Sequence, residues 1–414
     1  RISKKILLLC GVLCGAAVTA GAQSAYSKFG YGLLRDNVTA AQSLMGGVGY
    51  AMNGNRQINV MNPASYAASD TLTFLFDMGL DFTALKSKDE GNGATSTNYG
   101  GGLDYVTMQV PIGKCMGASI GLVPYSSVGY SFGSTIDNGT TNHEGSGGIN
   151  QLYLGFAGRV YKGLSLGFNL SYMFGTTIND VYVNPASDNS SSLFEQVVKV
   201  KDWHIQFGAQ YNFDINRDNR LTAGLVFSPG KTLLGSAEVI KYDITAESKP
   251  TDDLIDNTSL RGRASLPATW GAGMSYRWQN RLLVEADYTY QPWSKAKVLQ
   301  MKNFNTPQLA DRWQLSLGGE FTPSPRGNYL QRITYRAGGF YNRDYMKVGD
   351  NNVKEYGVSV GFGLPTMASK TMVNIGFEYR HRQAYPSALL TENYFNIKLG
   401  INFNELWFFQ NKIK

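Results

Sequence analysis

The sequence predicts an all-β protein: a transmembrane antiparallel β-barrel of about fourteen strands, preceded by a segment that does not read as barrel. Three observations predict it. An export leader opens the chain, strand-length segments alternating apolar with small or polar residues fill most of the rest, and the turns between them are alternately short and long. A closed sheet satisfies every backbone hydrogen bond in lipid without help from water.

The leader has the tripartite form of a cleavable signal. Arg1, Lys4 and Lys5 give a positive start, Ile6 to Val18 an apolar stretch, and Ala20-Gly21-Ala22 a small-residue cleavage site before Gln23. Cys10 and Cys14 lie inside the apolar stretch, but Leu7-Leu8-Leu9 ahead of Cys10 lacks the small residue that a lipid-attachment motif needs. Cleavage after Ala22 leaves Cys115 as the only cysteine. No internal disulfide or zinc cluster is then expected.

Composition agrees. The chain has 25 Tyr, 21 Phe and 47 Gly, only 17% charged residues, and a mean hydropathy of -0.22. No run approaches the roughly 18 apolar residues that a membrane helix requires. In a barrel only alternate residues face lipid, so the average conceals them. The formal charge of +7 includes the three leader cations and is scattered, which excludes a nucleic-acid-binding surface as an expectation.

Gly163 to Gly175 gives the clearest strand. Leu164, Leu166, Phe168, Leu170, Tyr172 and Phe174 share one face, and Ser165, Gly167, Asn169 and Ser171 the other. Leu152, Leu154, Phe156 and Val160 repeat the pattern, as do Trp270, Met274, Tyr276 and Trp278, and Val373, Ile375, Phe377 and Tyr379. The last strand puts Phe395, Ile397, Leu399, Ile401 and Phe403 outward before Trp407-Phe408-Phe409.

Turn lengths give topology. Tight connections fall at 111–114, 161–163, 216–219, 279–280, 323–327 and 365–366; long polar stretches fall at 83–99, 133–148, 176–193, 229–262, 294–310 and 383–392. Short periplasmic turns, long external loops and two periplasmic termini are the outer-membrane arrangement. The stretch 229–262 is the candidate external lid or recognition surface.

Residues 23–70 precede the first alternation and are expected to plug the periplasmic half of the barrel formed by 71–414. Their small-residue run, Ser43 to Ala51, leads to Asn62, Pro63 and Ala64. By itself Asn-Pro reads as a turn, since Pro fixes φ and Asn caps. With the leader and about fourteen strands the chain resembles the FadL family of outer-membrane long-chain fatty-acid and aromatic-hydrocarbon transporters. The resemblance implies a plug-like hatch carrying an Asn-Pro-Ala motif, here Asn62, Pro63 and Ala64.

A second element lies in the third strand. Pro124, flanked by Gly121 and Gly129, cannot donate to a ladder and is expected to kink or bulge that strand and open a gap beside it. The resemblance implies that such a kink is a lateral exit for hydrophobic substrate.

Catalytic chemistry is not expected. His143, His204 and His381 have no converging spacing, and no nucleophile elbow, Walker loop or dinucleotide fingerprint occurs. No metal or cofactor is expected. Inward positions carry Asp77, Asp81, Arg159, His204, Arg277, Glu285, Asp287, Glu320, Arg336, Glu378, Arg380 and Lys398. These must pair with one another and with plug groups such as Arg35, Asp36 and Arg56, or hold a ligand carboxylate. The leading expectation is passive uptake of hydrophobic or amphipathic molecules with lateral release into lipid. The alternative is a scaffold or adaptor barrel bound to other outer-membrane proteins, and an outer-membrane hydrolase or acyltransferase is the least supported.

Overall fold

The computed structural model describes residues 23–406 apart from 55, 72, 137, 187–189, 246–250, 305 and 367–370. The leader with Cys10 and Cys14, the cleavage site, and Trp407-Phe408-Phe409 lie outside the described residues. Fourteen strands close into one antiparallel barrel. They are β1 (Thr73–Asp89), β2 (Thr95–Pro111), β3 (Met116–Ile136), β4 (Gly139–Tyr161), β5 (Leu164–Pro185), β6 (Ser190–Asp214) and β7 (Asn219–Ser228), then β8 (Thr269–Trp278), β9 (Leu282–Gln291), β10 (Arg312–Phe321), β11 (Thr334–Val348), β12 (Asn351–Pro365), β13 (Met372–Tyr385) and β14 (Leu390–Leu406). Closure is made by β14 on β1, from Leu390↔Asp89 to Leu406↔Thr73. Across the long excursion between them, β7 meets β8 from Asn219↔Trp278 to Ser228↔Thr269.

Burial inverts that of a water-soluble sheet. On β5 the outward Leu166, Phe168 and Leu170 are exposed, whereas the inward Ser165, Asn169 and Ser171 are buried. Outward aliphatic and aromatic residues recur around the wall, from Phe82 on β1 through Leu154 and Trp270 to Phe377 and Ile397. No described helix is long and apolar enough to cross a membrane; this chain is built to cross with strands.

Most of the expected loops are instead strand. The stretches 83–99, 133–148, 176–193 and 383–392 continue the ladders almost to the hairpin tips. Their Gly, Ser, Thr and Asn residues read as loop because water solvates both faces, but Thr and Ser still fit a pleated ladder. The stretch 229–262 also contains a hairpin, Gly235–Thr245 with Thr251–Ser259, whose first arm pairs with β6 from Gly235↔Val200 to Thr245↔Ser190. Residues 296–310 remain irregular, apart from one bridge, Leu309↔Met346.

The N-terminal segment is built from 3-10 turns at Ala25–Lys28 and Pro63–Ala68, a two-residue strand at Leu33–Leu34 and one helical turn at Ala40–Ser43. It begins at the long-hairpin end, where the N–H of Ser24 donates to Gly129 O at 2.7 Å and the Tyr26 hydroxyl donates to Leu390 O at 2.5 Å. It ends at the short-turn end beside the start of β1. The segment thus runs along the inner face from one end to the other, farther than half a barrel. Gln23 and Leu406 accordingly lie at opposite ends of the barrel.

The outward face supplies a test. Replacing Leu154 with Arg is expected to cost about 2–4 kcal/mol near the membrane midplane, whereas Thr140→Arg, beside the β3–β4 hairpin tip, is expected to change stability by less than about 0.5 kcal/mol. Guanidinium unfolding in lipid vesicles, read by heat-modifiable gel migration, measures both.

Candidate functional site in the lumen and at the third strand

The segment fits the wall because the wall is bare of side chains where the two meet. A Cβ on the inward Gly167 or Gly208 would collide with Pro63 or Asn62, one on Gly224 with the Tyr50 carbonyl, and one on Gly318 or Gly338 with the Met45 backbone. Gly117 and Gly155 make the same room for Tyr66, and Gly361 and Gly376 for Leu44. Glycine is therefore required at these positions by close approach rather than by a turn.

An irregular chain buried this way must have its polar groups satisfied by the wall. Asp287 Oδ2 accepts the N–H of Gly49 at 2.7 Å and of Tyr50 at 2.9 Å, and Glu285 Oε1 accepts that of Ala51 at 2.7 Å. Asn62 is fully buried and caps the Pro63–Ala68 turn, its Oδ1 accepting from Ala64 N at 3.1 Å. Its amide donates to Tyr50 O at 2.7 Å and to Ala209 O of β6 at 3.2 Å. Arg277 donates to Asn53 O at 2.9 Å.

The expected lumen charges mostly pair. Arg35 of the segment lies 3.5 Å from Asp81, and Lys398 lies 3.7 Å from Asp81 and 3.5 Å from Asp104. Arg336 bridges Glu320 at 3.2 Å and Asn374 at 2.7 Å. Glu378 takes Arg380, Asn396 at 2.8 Å and the Ser43 hydroxyl at 3.1 Å. Asp77 accepts from the Tyr105 hydroxyl at 2.7 Å and from Asn402 at 2.9 Å. Arg159 departs from the expectation. It keeps the inward register, opposite Ser165, but is exposed at the short-turn rim, just before the ladder shifts between Arg159 and Tyr161.

A second set went unanticipated. Arg382 reaches Glu355 at 2.9 Å and Asp344 at 3.8 Å, and Arg312 reaches Asp36 at 3.1 Å. Glu392 accepts the Ser24 hydroxyl at 2.8 Å and the Tyr394 hydroxyl at 2.6 Å. Arg382 and Glu378 share the even register of β13, so extending strand parity by one step would have found it, whereas Glu392 falls in 383–392, which reads as loop. Of the histidines, His204 borders a lumen cavity, His143 lies against Phe132, and His381 Nδ1 is 2.8 Å from Asn393 Oδ1. Among the described residues no group of three or more His, Cys, Asp or Glu could hold a metal.

The third strand is interrupted on both sides. Toward β4 the register shifts between Pro124 and Ser126. Toward β2 the ladder runs only from Pro111↔Gly117 to Val106↔Leu122 and stops. Gly121 lies inside that paired stretch, opposite Thr107. Above it, β3 takes the N-terminal segment as its neighbour. Leu33 and Leu34 pair with Ser127 and Ser126, Arg35 N donates to Tyr125 O at 2.9 Å, and Gly129 N donates to the Ser27 hydroxyl at 3.0 Å.

Two cavities border the segment. One of about 100 Å³ is lined by Leu34, Arg35, Asp36, Val123, Tyr125, Gln206 and Arg312 among others, and one of about 10 Å³ lies among Asp36, Arg312, Glu355 and Arg382. At the long-hairpin end Trp293, fully buried, packs against Tyr31 and Tyr345 with ring centres 5.8 and 4.6 Å away. Leu233, Leu260 and Met301 from the two long connections join the same apolar cluster.

Two substitutions separate the grip on the segment from barrel stability. Asp287→Ala leaves two buried N–H groups without an acceptor, at about 1–3 kcal/mol each; the expected result is protease cleavage within residues 24–69 while the barrel stays heat-modifiable. Arg382→Ala takes the guanidinium from between Glu355 and Asp344 and is expected to cost about 3–5 kcal/mol, measured as a lower unfolding midpoint.

The fold has known counterparts. The structure superimposes on a FadL homologue from Pseudomonas aeruginosa with a TM-score of 0.59 at 16% identity, covering 90% of this chain and 99% of that one. The Pseudomonas putida toluene transporter TodX gives 0.56 at 14%, covering 91% and 99%, and the Ralstonia pickettii toluene transporter TbuX gives 0.52 at 15%, covering 89% and 98%. At these identities the likeness is one of fold. No curated protein matches the sequence. A family profile described as BamG matches residues 2–414, essentially the whole length, and the chain belongs to the BamG family.

Proposed function

We propose that this chain is an outer-membrane barrel of FadL-like architecture that serves as a scaffold or adaptor subunit of a larger outer-membrane assembly, with residues 23–70 as a hatch and the short turns and C-terminal end on the periplasmic side. The observation that carries this reading is the state of the lumen. The hatch runs its whole length, seated on wall glycines and bonded to Asp287, Glu285 and Gln210 of the wall. The larger bordering cavity, about 100 Å³ and lined in good part by charged and amide side chains, is well under the roughly 300–1,000 Å³ of small-molecule pockets. A barrel sealed by its own chain offers a partner its rims and surfaces.

A second reading, uptake of hydrophobic molecules with lateral release beside Pro124, is favoured by the interrupted β2–β3 ladder, by the position of that cavity behind Val123 and Tyr125, and by the channel function named for TodX and TbuX. Release requires the hatch residues on the β3 rim to move. Adaptor function does not.

Pinning them separates the two. Leu33 and Ser127 are direct ladder partners, a separation compatible with a disulfide. Under the adaptor reading, a strain lacking the gene is rescued as fully by the oxidised L33C/S127C variant as by the wild type, and uptake of toluene or long-chain fatty acid is unchanged by the gene, by the pin or by Pro124→Val. Rescue only after reduction, with uptake slowed by the pin and by Pro124→Val, would establish the transport reading instead.

A further inference from the structure

The interrupted seam has two rims, and only one of them is covered. The β3 rim carries the N-terminal segment from Tyr125 to Gly129. The facing rim of β2, from Thr95 to Tyr105, has no backbone partner on that side among the described residues, although its other side is laddered on β1. From the adaptor reading, on which this rests, and from the chemistry of that rim, we infer that the free edge of β2 is a docking site for an extended segment of a separate polypeptide, which adds to the sheet as a strand.

Three features of the edge point to such an occupant. A row of unpaired N–H and C=O groups alternating at the strand repeat is a template that another strand complements along its whole length. The edge is also long and undefended. Thr95 to Leu103 is about 30 Å of strand, and it contains no Lys, Arg, Asp, Glu or Pro, the residues that natural edge strands use to repel addition. The hairpin arm Thr251–Ser259, laddered on Gly235–Thr245, follows that rule with Asp253 and Asp256. The β3 rim follows it as well, with Pro124 and its own chain as cover.

The third feature is access. Gly100, Gly101 and Gly102 have no side chains to hold an incoming strand away, and Tyr99 beside them is 80% exposed. The incoming segment would run along Thr95–Leu103, its backbone bonded to β2 and one face of its side chains meeting Tyr99, Thr97 and Leu103. Its chemistry follows from that surface. It is an extended, proline-poor stretch of about eight residues with small or apolar residues facing outward.

The test uses the intact protein in its own outer membrane. Amide hydrogen exchange over 95–104 is measured in native membranes and after purification of the single chain in detergent; the expected result is protection about tenfold or more greater in the membrane. A photoreactive benzoylphenylalanine at Tyr99 is expected to give one adduct, with the crosslinked residue of the other polypeptide inside a strand-length segment. Proline is then placed singly at Ser96 and at Thr97. Alternate residues point their N–H groups to opposite neighbours, so one variant breaks the β1 ladder and the other blocks only the free edge. The variant that keeps the barrel heat-modifiable is expected to lose the adduct about tenfold. Equal exchange in membrane and detergent, an adduct to lipid or to a second copy of this chain, or an adduct that survives the edge-blocking proline would overturn the inference. If the edge is unprotected while the pinned L33C/S127C variant still rescues, the docking edge is wrong and the adaptor reading stands; if the pinned variant fails, that reading falls by itself.

Discussion

Everything inside this barrel depends on one constraint: a stretch of irregular backbone buried in a membrane-spanning sheet must find hydrogen-bond partners without water. The strands satisfy their own ladders, so the obligation falls on the N-terminal segment and is met by side chains of the wall. Asp287 and Glu285 face three successive N–H groups at Gly49, Tyr50 and Ala51, while Gln210 donates to the Tyr50 carbonyl, which also takes the segment's own Asn62 amide. The inward glycines follow from the same constraint, because these bonds close only if the segment lies flat against the strands. Remove the glycines and the carboxylates lose their reach.

That arrangement explains why the lumen is polar without being open. A pore-like reading of the inward charges fails on distances, since Arg382, Glu355 and Asp344 engage one another and Arg35 and Asp36 draw the segment into the same network. Buried charges of this density are tolerable only when paired. At the long-hairpin end, Trp293 and Tyr345 couple the two long connections to Tyr31, so the outer cap and the segment form one packed unit.

The wall was legible in the sequence because a period of two in outward Leu, Phe and Trp survives in any strand that faces lipid, as Leu166 to Phe174 and Trp270 to Trp278 illustrate. The Asn62-Pro63-Ala64 turn was legible for a local reason: Asn caps and Pro starts a turn wherever they stand. Strand extent above the lipid was not, because Thr, Ser and Gly alternating in water carry no apolar signal, and this cost the reading Glu392 and the hairpin at Gly235–Thr245. The collar of glycines escaped for a different cause. Gly167 and Gly208 look like ordinary small inward residues until the path of Asn62 and Pro63 is known, and that path is set by contacts more than 100 residues apart in the chain. Arg159 misled for another reason: it keeps the inward parity opposite Ser165 but stands at the rim, and parity alone does not separate lumen from rim.

The central claim is that the lumen is closed by the chain's own N-terminal segment as a permanent part of the fold. Ion conductance of the purified barrel in planar bilayers tests it most directly. The account predicts a silent wild type across the voltage range in which the barrel stays folded, and steps of current once Asp287→Ala and Glu285→Ala together release the segment. Steady open steps from the wild-type barrel would contradict it.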